Sequence, residues 1–241
     1  MKTVPLSEEK RMRIIGRIDR IDKVEKDGST YLKILDYKSG NNQFDPVSLY
    51  YGTQLQLAVY LHAALILERQ QKEQRGESGE VIPAAILYYH MQDPFVERSQ
   101  EQMSDEMIEA QRMDAMRMDG LVNEQEECIA MLDASFDSHS DVIPVERKKS
   151  GGYTSASKVA DSDQFEVISN YVEQKMVNLA AEILSGRKAV DPYERGGRSA
   201  CTYCEFASLC KYDEKIPGYQ KRELDSMTKE EAMQNMRKAI E

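Results

Sequence analysis

Two aspartates and a lysine have the residue types and spacing for phosphate-ester chemistry. Asp19 lies in Gly16-Arg17-Ile18-Asp19-Arg20-Ile21-Asp22, and Asp36 and Lys38 lie in Ile34-Leu35-Asp36-Tyr37-Lys38-Ser39. Magnesium takes oxygen ligands, usually one or two carboxylates, and leaves positions open for water and substrate phosphate. Asp19 and Asp36 offer the carboxylates and the Tyr37 carbonyl a third oxygen. Lys38 adds an ammonium that can orient or polarise an attacking water and offset charge growing on phosphate oxygens. These are parts a phosphodiester hydrolase needs. The same residue types also occur on the solvated face of an ordinary hairpin, and these residues alone leave both readings open.

Such a site needs two neighbouring strands. Val24 to Thr30 reads as the turn between them, because Glu-Lys-Asp-Gly-Ser is polar and Gly28 can supply a positive φ. The returning strand is expected over Tyr31 to Lys38, with Leu32, Ile34, Asp36 and Lys38 on one face and Tyr31, Leu35 and Tyr37 on the other. On the first strand Asp19 shares a face with Arg17 and Ile21, and a strand spacing of roughly 5 Å brings it within metal-bridging reach of Asp36.

These residues resemble the PD-(D/E)XK nuclease superfamily, with Asp19 matching its first acid and Asp36-Tyr37-Lys38 its acid-x-lysine element. Gln56-Leu57-Ala58-Val59-Tyr60 is similar to the Gln-x-x-x-Tyr motif of the RecB-like branch. The run from Gly16 to about Asp213 looks like the C-terminal nuclease region of the AddB subunits of bacterial AddAB helicase-nucleases. The resemblance implies an α/β fold, a restriction-endonuclease-like core with a central mixed β-sheet flanked by helices. It also implies a magnesium- or manganese-dependent DNA exonuclease, working with a helicase partner subunit resembling AddA in double-strand break repair and recombination. Within it Asp19 and Asp36 hold the metal, Lys38 positions or activates water, and Gln56 with Tyr60 orients the substrate strand or the site.

Composition sets limits on these implications. The chain has 241 residues, enough for one sizeable core or one core with a small satellite. It lacks tryptophan and is 31% charged, so its core rests on aliphatics, Met and Tyr. No apolar run reaches membrane-spanning length and no signal-peptide pattern opens the chain, so a cytoplasmic protein is expected. The net charge of −10 argues against a broad DNA-coating surface, since nonspecific duplex binding depends on Lys and Arg neutralising phosphates. DNA contact must then be local. The candidates are Arg147, Lys148 and Lys149 with Lys158, and a later set of Arg187, Lys188, Arg195 and Arg198.

Along the chain, Asp45-Pro46 is expected to open a helix running to about Gln70, with Gln56 and Tyr60 on one face. Val81 to Tyr89 reads as a buried strand. Helices are expected from about Ser104 to Met118 and from Asn123 to Leu132, with Met, Ile and Leu turned inward. Val142 to Val145 suits a short strand. A long helix from about Asp163 to Ser185 should bury Phe165, Ile168, Val172, Met176, Leu179 and Ile183 and stop at Gly186.

Cys201-x-x-Cys204-x5-Cys210 reads as a metal or cluster site rather than as disulfides, but three thiolates are one short of the usual four. Cys128 reads as a buried helix residue, not as the fourth. In the AddB-like pattern the three cysteines are ligands of an iron-sulfur cluster whose first ligand lies upstream of the nuclease core. That branch also carries a helix before the first acidic strand, whereas Met1 to Lys10 reads as a short polar leader. The expected organisation is a nuclease core over 1–200 lacking its N-terminal helix, a cysteine-containing segment over 201–216, and a charged tail over 217–241. In that tail Thr228-Lys-Glu-Glu231 opens a short helix suited to docking on a neighbouring domain. The competing reading is a nuclease-like scaffold that binds DNA or a helicase partner without cutting.

Overall fold

A computed structural model describes residues 2–5, 11–94 and 104–241. The chain opens with an antiparallel ribbon of β1 (Lys2–Pro5) and β2 (Arg11–Ile14), where the sequence suggests only a polar leader. Then come β3 (Arg20–Lys26) and β4 (Ser29–Lys38), joined at Asp27-Gly28. Both turn residues have positive φ, 50° and 79°, the two-residue hairpin geometry that fits the twist of the flanking strands. The turn is therefore tighter than Val24 to Thr30, and β4 begins earlier than expected on its far side.

A helical crossover carries the chain to the parallel strand β5 (Val81–His90). The crossover is two helices, α1 (Pro46–Tyr51) and α2 (Gln56–Arg75), not one. Gly52 ends the first with φ 83°, its N–H and that of Thr53 closing on the Leu49 and Ser48 carbonyls. This break makes Gln56 the first residue of α2, next to the end of β4.

Beyond β5 lie α3 (Asp105–Met116), β6 (Asp119–Asn123), α4 (Glu126–Leu132), β7 (Val159–Ala160) and α5 (Ser162–Leu184). The central sheet has the order β3-β4-β5-β6-β7, with antiparallel, parallel, antiparallel and parallel pairings in turn. It is the mixed, helix-flanked sheet expected of a restriction-endonuclease-like core. Two of its strands go beyond the sequence reading, in which Asp119–Asn123 is a loop and a helix start and Val159–Ala160 belongs to no element. Conversely, residues 142–144 form bends and Val145 lies in no strand, although Ile143 and Val145 are buried.

One sheet face packs Leu32, Ile34, Ile86 and Tyr88 against Leu57, Leu61 and Leu65 of α2 and Phe165, Ile168 and Val172 of α5. The opposite face packs Leu35, Leu87 and Val122 against Ile129 of α4, with Ile143 and Val145. Helix α5 buries Met176 as expected, but Leu179 and Ile183 are exposed because the helix runs past the sheet. Helix α3 buries no residue, against the expectation of an inward apolar face.

The remaining elements are β8 (Tyr193–Arg195), β9 (Arg198–Ser199), the short α6 (Ala207–Cys210), β10 (Arg222–Glu223) and α7 (Lys229–Ile240). Strands β10, β8 and β9 form a second small sheet. In α7 both halves of the Thr228/Glu231 capping box form. Its apolar side, Ala232 and Met236, is buried, with Met236 in the main core, and Arg237 pairs with Asp163 of α5. The apolar side of the tail helix therefore docks on this chain's own helices.

Candidate active site

Alternation along β4 sends Leu32 and Ile34 into the core beneath α2, and the same face ends in Asp36 and Lys38. Asp36 is flanked by β5, where it pairs with Tyr88, and is only 2% exposed. The α1–α2 break brings Gln56 over this strand end. Its Nε2 donates to Asp36 Oδ1 at 3.0 Å and lies 3.1 Å from Tyr60 Oη, while its Oε1 accepts from Lys38 Nζ at 2.7 Å. An ammonium can only donate and a carboxylate only accept, so one orientation of the Gln56 amide satisfies both. Lys38 Nζ also stands 2.5 Å from Asp36 Oδ2 and 5.4 Å from the centre of the Tyr88 ring.

Asp19 does not lie within a strand. It sits in the bend just before β3 and is exposed. Continuing the register beyond the Arg20–Leu35 pair nevertheless brings it beside Asp36, and its Oδ2 accepts the Tyr37 N–H at 3.1 Å. The structure thus gathers Asp36, Lys38, Gln56 and Tyr60 in one hydrogen-bonded cluster, with Asp19 anchored to the residue between Asp36 and Lys38.

The surroundings are strongly polarising. Burial, and then the charges of Asp36 and Asp119, push the Tyr88 phenol up to about 12. Hydrogen bonds to Asp22 and then Tyr37 hold the Arg20 guanidinium above its ordinary range. Sequence reasoning misses Tyr88 because it lies in an apolar strand run whose pairing with Asp36 only the fold reveals.

Whether these residues suit a metal can be judged from Asp36. Its Oδ2 is buried and accepts no well-directed hydrogen bond, although the Lys38 ammonium lies beside it as an ion-pair partner. A buried carboxylate oxygen with spare acceptor capacity, next to a second, exposed carboxylate, fits the oxygen-ligand habit of magnesium. Asp19, Asp36 and the Tyr37 carbonyl are the oxygens available to it.

The cysteines are arranged differently. Cys201 is half-buried, and Cys204 and Cys210 are exposed. Among the described residues no three His, Cys, Asp or Glu side chains gather into a metal-binding group, so the three thiols do not themselves present a formed cluster site. Cys128 lies buried in α4, where burial pushes its thiol up to about 12, far from the thiolate a metal needs.

The basic candidates are largely neutralised within the fold. Arg147 grips Glu126 with two hydrogen bonds of 2.7 and 2.6 Å and lies over the Phe136 ring. Lys158 pairs with Asp119, which also accepts the Phe44 N–H. Lys148 and Lys149 are exposed. Arg187 pairs with Asp191, and Arg195 with Asp45 and Ser48.

A model of the PD-(D/E)XK nuclease superfamily matches residues 2–211. Among curated proteins the chain is similar to the B subunit of the ATP-dependent helicase/deoxyribonuclease of Lachnoclostridium phytofermentans, with 39% identity over 235 residues covering 94% of this chain and 20% of that protein. The same-named protein from Clostridium botulinum is 39% identical over 229 residues, 95% of this chain and 19% of the relative. That from Bacillus mycoides is 33% identical over 231 residues, with the same coverages of 95% and 19%. The chain therefore spans about a fifth of the length of the curated relatives it matches.

Proposed function

The chain belongs to the PD-(D/E)XK nuclease superfamily, and from that premise we propose that it is the magnesium- or manganese-dependent DNA exonuclease region of a helicase-nuclease. The observation that carries this reading is the buried Asp36 carboxylate, tied through Gln56 to Lys38 and Tyr60 and left with an acceptor to spare. Asp19, Asp36 and the Tyr37 carbonyl would hold the ion, which would supply Lewis-acid polarisation of the phosphate and offset its charge. Lys38 orients the attacking water and donates to the phosphate oxygens as the P–O ester bond breaks. Gln56 holds Asp36 and Lys38 in register, and Tyr60 fixes the amide from the far side. Because Gln56 carries no charge, it can bind both without disturbing the balance between them.

The relatives are named as the B subunits of helicase/deoxyribonucleases, and the reading extends to a helicase partner resembling AddA. The setting is double-strand break repair and recombination in the cytoplasm. Among the described residues no helix is long and apolar enough to cross a membrane. Cys201, Cys204 and Cys210 belong, in this reading, to an iron-sulfur cluster completed by a ligand from outside the described residues. No step of phosphodiester hydrolysis passes through it.

An exonuclease needs an end. Linear single-stranded DNA should be degraded in magnesium or manganese while a covalently closed circle of the same sequence survives. Equal cutting of the circle would contradict the exonuclease assignment.

A further inference from the structure

Two clefts flank the loop 39–45 that follows β4, and their linings carry opposite charge. One, of about 660 Å³, sets Asp93, Asp114, Asp119 and Glu146 against Arg117 and Lys158. The other, of about 700 Å³, runs from Lys38, Gln56 and Tyr88 to the β8–β9 hairpin, where Arg195 and Arg198 line it. Asp45 is the single carboxylate among the described lining residues of this second cleft. Lys38 is paired with Asp36 and Arg195 with Asp45, so in a chain of net charge −10 Arg198 is the cation of this cleft left to meet a polyanion.

The hairpin holds the cationic wall in a defined shape. Arg195 pairs directly with Arg198 across Gly196-Gly197, whose φ values of 55° and 76° permit the tight reversal. Directly opposed residues in an antiparallel pair share a face roughly 5 Å apart, and like charges there are destabilising. One of the two is compensated. Arg195 Nη1 donates to Asp45 Oδ2 and to Ser48 Oγ, each at 2.8 Å, fixing the hairpin to the start of α1. Arg198 is exposed and has no side-chain hydrogen bond or ion pair among the described residues. A Cβ built on either turn glycine meets nothing within 4 Å, so the tip is open to solvent.

We propose that this second cleft carries the DNA strand to the site, and that Arg198 binds a backbone phosphate neighbouring the one held at Lys38. The assignment rests on the nuclease reading above and adds to it the path of the substrate. It places that path on the β8–β9 side rather than along Arg147 and Lys158, whose charges the fold already neutralises. Arg195 acts through Asp45 and Ser48 as the positioning residue that holds the hairpin in place.

The test is binding of a fluorescein-labelled 20-nucleotide single strand to this chain in EDTA, read by anisotropy over a range of salt, so that cleavage does not enter. Arg198→Ala should weaken binding about fivefold to tenfold and lower the salt slope by about one, as expected for one lost phosphate contact. Arg198→Lys should restore the slope. The double variant Lys148→Ala/Lys149→Ala should stay within about twofold of the parent. If the parent chain binds and cuts DNA while Arg198→Ala binds with unchanged affinity and slope, this path is wrong and the nuclease reading stands. If the parent neither binds nor cuts, both fall. Should Arg198→Ala lose its thermal transition, methylphosphonates placed singly along the strand replace it as the probe on the parent chain. A loss confined to one or two positions supports the path, and an even loss at every position overturns it.

Discussion

Strand β4 has a lysine-centred polar cluster at each end, and the two differ in what they leave open. At its start, Lys72 reaches from α2 to donate to the Gly28 carbonyl at 2.7 Å and to Thr30 Oγ1 at 3.1 Å, and Lys72 and Thr30 are buried. That cluster closes on itself, fastening the hairpin turn to the helix. At its end, Lys38 lies 2.5 Å from Asp36 Oδ2, and Gln56 ties both side chains to α2. Yet Asp36 Oδ2 remains without a well-directed hydrogen bond, and the second carboxylate, Asp19, stands exposed beside it. The same residue type meets a backbone carbonyl and a hydroxyl at one end of the strand, and at the other stands beside a carboxylate oxygen with acceptor capacity to spare, where the proposed site lies.

Three changes would break or sharpen this contrast. The largest effect is expected at the open end. Lys38→Met should lower cleavage per folded molecule about 10²- to 10⁴-fold, the range for losing a positioned proton or charge donor, and should also lower the melting temperature, because buried Asp36 and the Gln56 carbonyl lose their ammonium partner. Cleavage within threefold of the parent would make the open end as structural as the closed one. Next, Lys72→Met should destabilise the fold by about 1–3 kcal/mol in urea denaturation, because the Gly28 carbonyl and the Thr30 hydroxyl lose a buried donor. Its cleavage rate per folded molecule should match the parent, and a rate defect without a stability defect would dissolve the distinction.

The smallest effect concerns pH. The Tyr88 phenol, pushed up to about 12 by burial and then by Asp36 and Asp119, holds its proton more tightly in the folded chain than in the unfolded one. The stability from that difference is complete below about pH 10 and is lost as pH rises towards the folded value. Tyr88→Phe should therefore make the loss of stability between about pH 8 and 11 shallower by on the order of 1 kcal/mol. A residual fall will persist, since a hydrogen bond to Glu127, and then burial, raise Tyr31 as well. An unchanged slope would mean that burial beside Asp36 and Asp119 does not raise the Tyr88 phenol on folding.

The two-residue period of β4 makes the candidate site legible in the sequence alone. Leu32 and Ile34 announce a buried face, and Asp36 and Lys38 stand on it where an apolar residue would be the ordinary choice. Gln56 and Tyr60 are legible as a motif, but their link to Asp36 is not, because it depends on Gly52 ending one helix and letting another begin at Gln56. Strand β6 is hidden by its brevity and by Gly120. A Cβ there would lie 2.0 Å from the Ile86 carbonyl oxygen, so the residue that reads as a loop signal is what permits the close approach to β5. The exposed end of α5 and the solvated α3 escape the sequence for a different reason. Periodicity marks which face is apolar, but not whether anything lies opposite it. The Arg195–Arg198 pairing depends on a hairpin register that composition cannot supply.

The most direct test of the central claim is cleavage of end-labelled linear DNA in magnesium or manganese by this chain and its Asp36→Ala variant, with thermal denaturation of both. Metal-dependent cutting should fall below detection in the variant while its melting temperature stays level or rises, because the substitution removes a buried carboxylate the fold does not fully satisfy. Equal cutting by both proteins, or a variant that fails to fold, would contradict the assignment of Asp36 to an open catalytic site.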